Sequence, residues 1–147
     1  MTLRMQMKTM FINRQESAMS LDVSPDLLEQ ARHGEVSEAA FVATVRTSLP
    51  YAYDLIASLA TGLGQDDAAF ADNQVPPPGE AERGQLLRAL ASDSIRGSLE
   101  RHFGVRLAFQ NCHRVAAFRA GDRGAAYQEF ISARAQLLNQ SPALRSC

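Results

Sequence analysis

Asn111-Cys112-His113 sets a thiol beside an imidazole, and His102 lies eleven residues before His113. Two chemistries use such groups. A cysteine nucleophile needs a base within hydrogen-bond reach of its sulfur. A zinc site needs about four ligands, most often Cys and His. Neither pattern is complete here. Adjacent residues on a strand point to opposite faces, so His113 serves Cys112 as a base only if a turn redirects one of them. The chain has no C-x-x-C and no H-x-x-x-H, so no metal site is expected. Cys112 and His113 remain the catalytic candidates of a small-enzyme reading. The alternative is a buried structural Cys and a turn His with an ordinary hydrogen bond. G-x-x-x-x-G-K-[ST] and G-x-G-x-x-G are absent, and no cofactor is expected.

Arginine offers a different chemistry. Arg101, Arg106, Arg114, Arg119 and Arg123 cluster within one stretch. On a hairpin, Arg106, Arg114 and Arg119 form a positive face suited to phosphates or carboxylates. Asp72, Asn73 and Gln74 are the other candidates for partner contact. They lie in a long loop, Gly64 to Gly79, of the kind that is commonly functional or a linker. Pro76-Pro77-Pro78 then forces an extended lead-in to the next helix; the same run also fits an aromatic groove on a partner.

Charge is unevenly laid down. Met19 to Gly79 carries two Arg against nine acids, and Glu80 to Cys147 carries ten Arg against six acids. The plain reading is that the two halves face each other or solvate different faces. A basic half that meets an acidic partner or nucleic acid is the sharper one. Against nucleic acid stand a net charge of -1 and a pI of about 6.3. Of 15 basic residues all but Lys8 are Arg, a bias that a GC-rich genome also produces.

These groups need elements to hold them. Hydrophobic residues make up 46% and charged residues 21% of 147, which excludes wholesale disorder and leaves room for a core. Ser24 caps a short helix begun by Pro25, with Leu27, Leu28 and Ala31 as its stripe and Gly34 as its end. Ser37 caps the next, with Phe41, Val45 and Leu49 on one face. Pro50 either kinks a helix running from Ser37 to Leu63 or breaks it in two. Tyr53, Ile56, Leu59, Ala60 and Leu63 continue the apolar face, and Tyr51 and Tyr53 read as core residues. Phe70 anchors the loop.

The strongest periodicity falls between Glu80 and Phe103. Leu86, Leu87, Leu90, Ala91, Ile95, Leu99 and Phe103 predict one long core helix, stopped by Gly104. The period then changes. Val105, Leu107 and Phe109 alternate with Arg106, Ala108 and Gln110, and Val115 to Phe118 supply a second strand. A turn at Asn111-Cys112, or through His113, closes the hairpin, because Asn tolerates positive φ. Such a hairpin must lie on helices or pair with another strand, and a second copy of the chain is one source of it. A last helix starts at Gly121 or Asp122, with Ala126, Tyr127, Phe130, Ile131, Arg134, Leu137 and Leu138 on its apolar face. Asn139 to Pro142 ends it.

The fold class that follows is α+β and helix-dominated, four to five helices packed with one β-hairpin over about residues 105–119. All five Met lie at or before Met19. Residues 1–18 read as a flexible N-terminal extension and 19–147 as a single globular domain, with Met19 as the natural start. The leader lacks the apolar core of a signal peptide, and no apolar run approaches the ~20 residues of a bilayer span. With Cys112 and Cys147 as its only cysteines, the chain is expected in a reducing cytoplasm.

The stretches MSLDVSPDLLEQARHGEVSEAAFV, FADNQVPPPGEAERGQLLRALASDSIRGSLERHFGVRLAFQNCHRVA and LLNQSP resemble a small uncharacterised family of actinomycete proteins, about 130 residues long, with no assigned activity. The likeness covers Met19 to Cys147 and implies bacterial cytoplasmic origin. It brings no catalytic residue, cofactor or partner. The function expected is that of a non-enzymatic interaction or regulatory protein that self-associates as a homodimer or meets an unidentified protein. Nucleic-acid binding through the Arg-bearing hairpin is the alternative, and no membrane partner is expected.

Overall fold

Seven helices and three strands are formed by residues 20–65, 67–111 and 113–140, those that a computed structural model of the protein describes. In order they are α1 (Pro25–Arg32), α2 (Glu38–Ser48), α3 (Pro50–Gln65), β1 (Phe70–Asp72), α4 (Glu80–Ala91), α5 (Asp93–Phe103), β2 (Val105–Gln110), β3 (Arg114–Arg119), α6 (Ala125–Phe130) and α7 (Ala133–Leu138). The expectations for the leader, for Cys112 and for Cys147 lie outside the described residues. No described helix is long and apolar enough to cross a membrane.

Helix dominance and the hairpin match the predicted class, but the helix count and the sheet differ. Two of the helices read as continuous are each split by a serine. Between α4 and α5, Ser92 leaves helical conformation (φ -92°, ψ 115°), and its hydroxyl accepts from the Ile95 N–H. A serine side chain satisfies an orphan amide more readily at a helix start than in a helix interior. Arg96 secures the break from the other side, donating to the Leu90 carbonyl at 3.0 Å. Ser132 does the same between α6 and α7, accepting from the Ala135 N–H at 3.0 Å. The splits change which residues point inward. Leu86, Leu90, Ile95 and Leu99 are buried as the periodicity requires, whereas Leu87 is exposed, and so are Leu137 and Leu138.

At Pro50 the break wins over the kink. Leu49 leaves the helix (φ -126°, ψ 61°), and Pro50 opens α3, where its missing N–H costs nothing. The free amides of Tyr51 and Ala52 are capped from a distance by Gln85 Oε1 of α4, at 2.8 and 3.3 Å. α3 buries Ala52, Tyr53, Ile56, Leu59 and Leu63.

The sheet has three antiparallel strands in the order β1-β3-β2. Asn111 supplies the positive φ (51°) of the β2–β3 turn, and Gly104 takes the left-handed conformation (φ 66°) that ends α5. β1 is the element that sequence reading had as a loop anchored by Phe70. It pairs Phe70 with Phe118 and Asp72 with Ala116. Both faces of the sheet are covered. Val105, Leu107, Val115 and Ala117 join the main core with α2 to α5. Ala108, Ala116 and Phe118 pack against Tyr127 and Phe130 of α6. Phe118 is fully buried, edge-on to Tyr127 at 5.2 Å and stacked on Phe70 at 5.1 Å.

Ser92→Ala and Ser132→Ala are each expected to cost about 1 kcal/mol through loss of the cap. Leu99→Ala is expected to cost about 3 kcal/mol through the cavity it leaves. Urea denaturation followed by circular dichroism measures all three.

Candidate interaction site

The three hairpin arginines are engaged by their own chain. Arg106 donates to the Asp122 carbonyl at 3.1 Å and lies 3.8 Å from the centre of the Tyr127 ring. Arg114 grips Asp72 Oδ2 through Nε at 2.8 Å and Nη2 at 2.7 Å, and it rests over Phe130. Arg119 donates to the Ala68 carbonyl at 2.9 Å. Arg101, further along the same half, reaches Glu38 at 2.8 Å. The Arg114–Asp72 and Arg101–Glu38 pairs join the basic half of the chain to the acidic one.

Asp72, Asn73 and Gln74 come together with His113 and Arg114 in one hollow of about 480 Å3, whose wall Phe70, Pro76 and Asn139 complete. Asn73 staples it. Its Oδ1 accepts from the Val115 N–H at 2.8 Å and its Nδ2 donates to the His113 carbonyl at 2.7 Å. Gln74 Nε2 donates to Asp72 Oδ1 at 2.7 Å. Beneath lies Gln110, almost wholly buried, which accepts from both Arg114 and Asn139 and donates to the Phe130 carbonyl. Pro77 is buried and holds the exit of the hollow's loop, as a rigid lead-in to α4 requires.

His113 and His102 do not form one constellation. His102 Nε2 meets the Tyr53 hydroxyl at 3.3 Å, and His113 Nδ1 lies 2.5 Å from the Asn111 carbonyl. Among the described residues no group of three or more His, Cys, Asp or Glu stands close enough to hold a metal. Burial and then the Glu82 carboxylate raise the Tyr51 hydroxyl above the ordinary 10.0, so it holds its proton more tightly than a free phenol.

A second feature lies along β2, the longer edge strand. Glu100 of α5 accepts from the outward Leu107 N–H at 2.9 Å. Beside it runs a cleft of about 490 Å3 walled by Leu90, Arg96, Glu100, Phe109, Tyr127 and Ile131. Sequence reasoning missed Gln110, Asn139 and Glu100 as parts of these sites. Gln110 stood where alternation predicts a solvated face, and Asn139 looked like a helix stop. For Glu100 the one signal was its i+4 spacing from Arg96, which is 3.9 Å away.

The fold and these two concavities define a small, helix-dominated α+β protein with a three-stranded antiparallel sheet. Its residues 19–147 match the family described as NucS shadow ORF, and the chain belongs to that family. No curated protein and no solved structure matches it significantly.

Asp72→Ala is expected to cost about 3 kcal/mol, because it leaves the largely buried Arg114 without its anion. Glu38→Ala, which breaks the exposed pair to Arg101, is expected to cost under ~1 kcal/mol. Urea denaturation of the two variants side by side checks the contrast.

Proposed function

We propose that the chain is a non-enzymatic interaction protein that self-associates through the outer edge of β2. The observation behind this is the state of that edge. β2 is outermost in a sheet whose other edge strand, β1, has three residues. In an antiparallel ladder, residues that bond across alternate with residues whose N–H and C=O groups turn away. Leu107 turns its N–H away, to the Glu100 carboxylate, and Val105 and Phe109 share its parity; Val105 and Leu107 are only 7% and 5% exposed, so a second strand reaches this row by displacing the Glu100 side chain. A row of outward backbone groups is a template for another strand. A second β2, laid antiparallel about a two-fold axis through Leu107, sets Val105 of each copy opposite Phe109 of the other. Such an arrangement is self-complementary, as a closed dimer requires. The family's description names a reading frame and no activity, so it adds neither substrate nor partner.

A second reading rests on the loop between β3 and α6. In RNA-binding KH domains a G-x-x-G loop clamps the nucleotide backbone. This chain has one G-x-x-G, Gly121-Asp122-Arg123-Gly124, between β3 and α6, with Arg123 exposed. Its Asp122 introduces a repelling carboxylate, and that carboxylate is tied to the Gly124 N–H at 2.8 Å. The β2 edge is therefore the stronger of the two.

Sedimentation velocity is expected to show a concentration-dependent dimer. Glu100→Ala uncovers the Leu107 N–H and should tighten it about tenfold. Phe109→Pro removes an outward N–H without touching the β3 ladder and should abolish it. A strict monomer for both the unaltered chain and Glu100→Ala would overturn the reading. A low-salt gel shift of single-stranded RNA that Arg123→Glu eliminates would favour the second.

A further inference from the structure

We infer that the hollow between the exit of β1, the β2–β3 turn and the end of α7 binds a hydrogen-bond-donating small molecule, an amine or a polyol. Its volume, about 480 Å3, is in the range of ligand sites. Its preference follows from three side chains whose donor ends are already committed.

His113 Nδ1 lies 2.5 Å from the Asn111 carbonyl oxygen. A carbonyl only accepts, so Nδ1 carries the proton, and in that tautomer of the uncharged ring Nε2 is the acceptor. Gln74 Nε2 donates to the Asp72 carboxylate, which also only accepts, so the amide is held with Oε1 outward. Asn139 Nδ2 donates to the Ala135 carbonyl at 2.8 Å and to Gln110 Oε1 at 3.1 Å, which leaves Oδ1. Among the described residues these three acceptors have no partner, and none of them is sealed from solvent. All three residues line the same hollow.

Charge narrows the ligand further. The two ionised side chains of the wall, Arg114 and Asp72, hold each other at 2.7 Å. An anion therefore finds the guanidinium already claimed, and what the wall offers is a set of neutral acceptors. An ammonium group with three N–H bonds fits that set, and so does a row of hydroxyls. Phe70 and Pro76 supply apolar contact for the carbon frame. Because the acceptors are pinned by their own hydrogen bonds, little side-chain freedom is lost when a ligand arrives. The site stands apart from the β2 edge, and neither depends on the other.

NMR titration of the full chain with ethylenediamine dihydrochloride, and separately with myo-inositol, tests this. At least one probe is expected to shift the side-chain amides of Gln74 and Asn139 and the His113 ring proton saturably. Gln74 is exposed, so Gln74→Ala leaves the fold in place and should weaken binding about fivefold, the worth of one hydrogen bond. Gln74→Glu should tighten the amine and leave the polyol unaided, which separates the two chemistries. Absence of saturable shifts with both probes would overturn the inference. So would shifts that survive Gln74→Ala and His113→Phe unchanged.

Discussion

The ion pair between Arg114 and Asp72 is what allows β3 to be buried on both faces. An arginine on a central strand, under a helix, is tolerable only if its charge and donors are satisfied, since a stranded buried charge costs several kcal/mol. Here Nε and Nη2 share one carboxylate oxygen, Nη1 reaches Gln110, and the guanidinium plane rests on Phe130. With that done, α6 can close over Ala116 and Phe118. The pair also explains β1. Three residues are at the short end of strand lengths, with few ladder bonds to hold them. Asp72 adds a charged tie to β3, and Asn73 continues the ladder with its side chain, matching both the Val115 N–H and the His113 carbonyl.

Much of this was legible in the sequence. The buried spine of Leu86, Leu90, Ile95 and Leu99 followed from periodicity, the hairpin from the change of period after Gly104, and the turn from Asn111. Two kinds of feature were not. The first is the serine breaks. A mid-helix serine and a capping serine look alike in a one-dimensional pattern, and what decides between them is tertiary: for Ser92, the reach of Arg96 to the Leu90 carbonyl. The second is the polar residues of the sheet. Alternation puts Arg106, Gln110 and Arg114 on one face and marks it as wet. Nothing local reports that Tyr127 and Phe130 will lie across it and that Asp72, Asp122 and the Phe130 carbonyl will absorb its donors.

That outcome changes what the charge asymmetry means. The acidic first part of the chain and the basic second part are joined by Arg101–Glu38 and Arg114–Asp72, and Arg119 bonds the loop before β1. Arginine here holds distant segments together.

The β2 edge and the hollow around His113 owe their shape to the serines that interrupt the helices. An unbroken helix from residue 80 to 103 would run about 36 Å in a straight line. Split at Ser92, it becomes two short rods, and the second brings Glu100 beside Leu107 while Arg96 stays at the joint. An unbroken helix over residues 125–138 would likewise carry Asn139 about 20 Å along its axis, away from the sheet. The turn at Ser132 returns it instead, so that Asn139 meets Gln110 and completes the wall that Asp72 and His113 begin. The residues that cost the chain its long helices are thus the ones that give it concave surfaces.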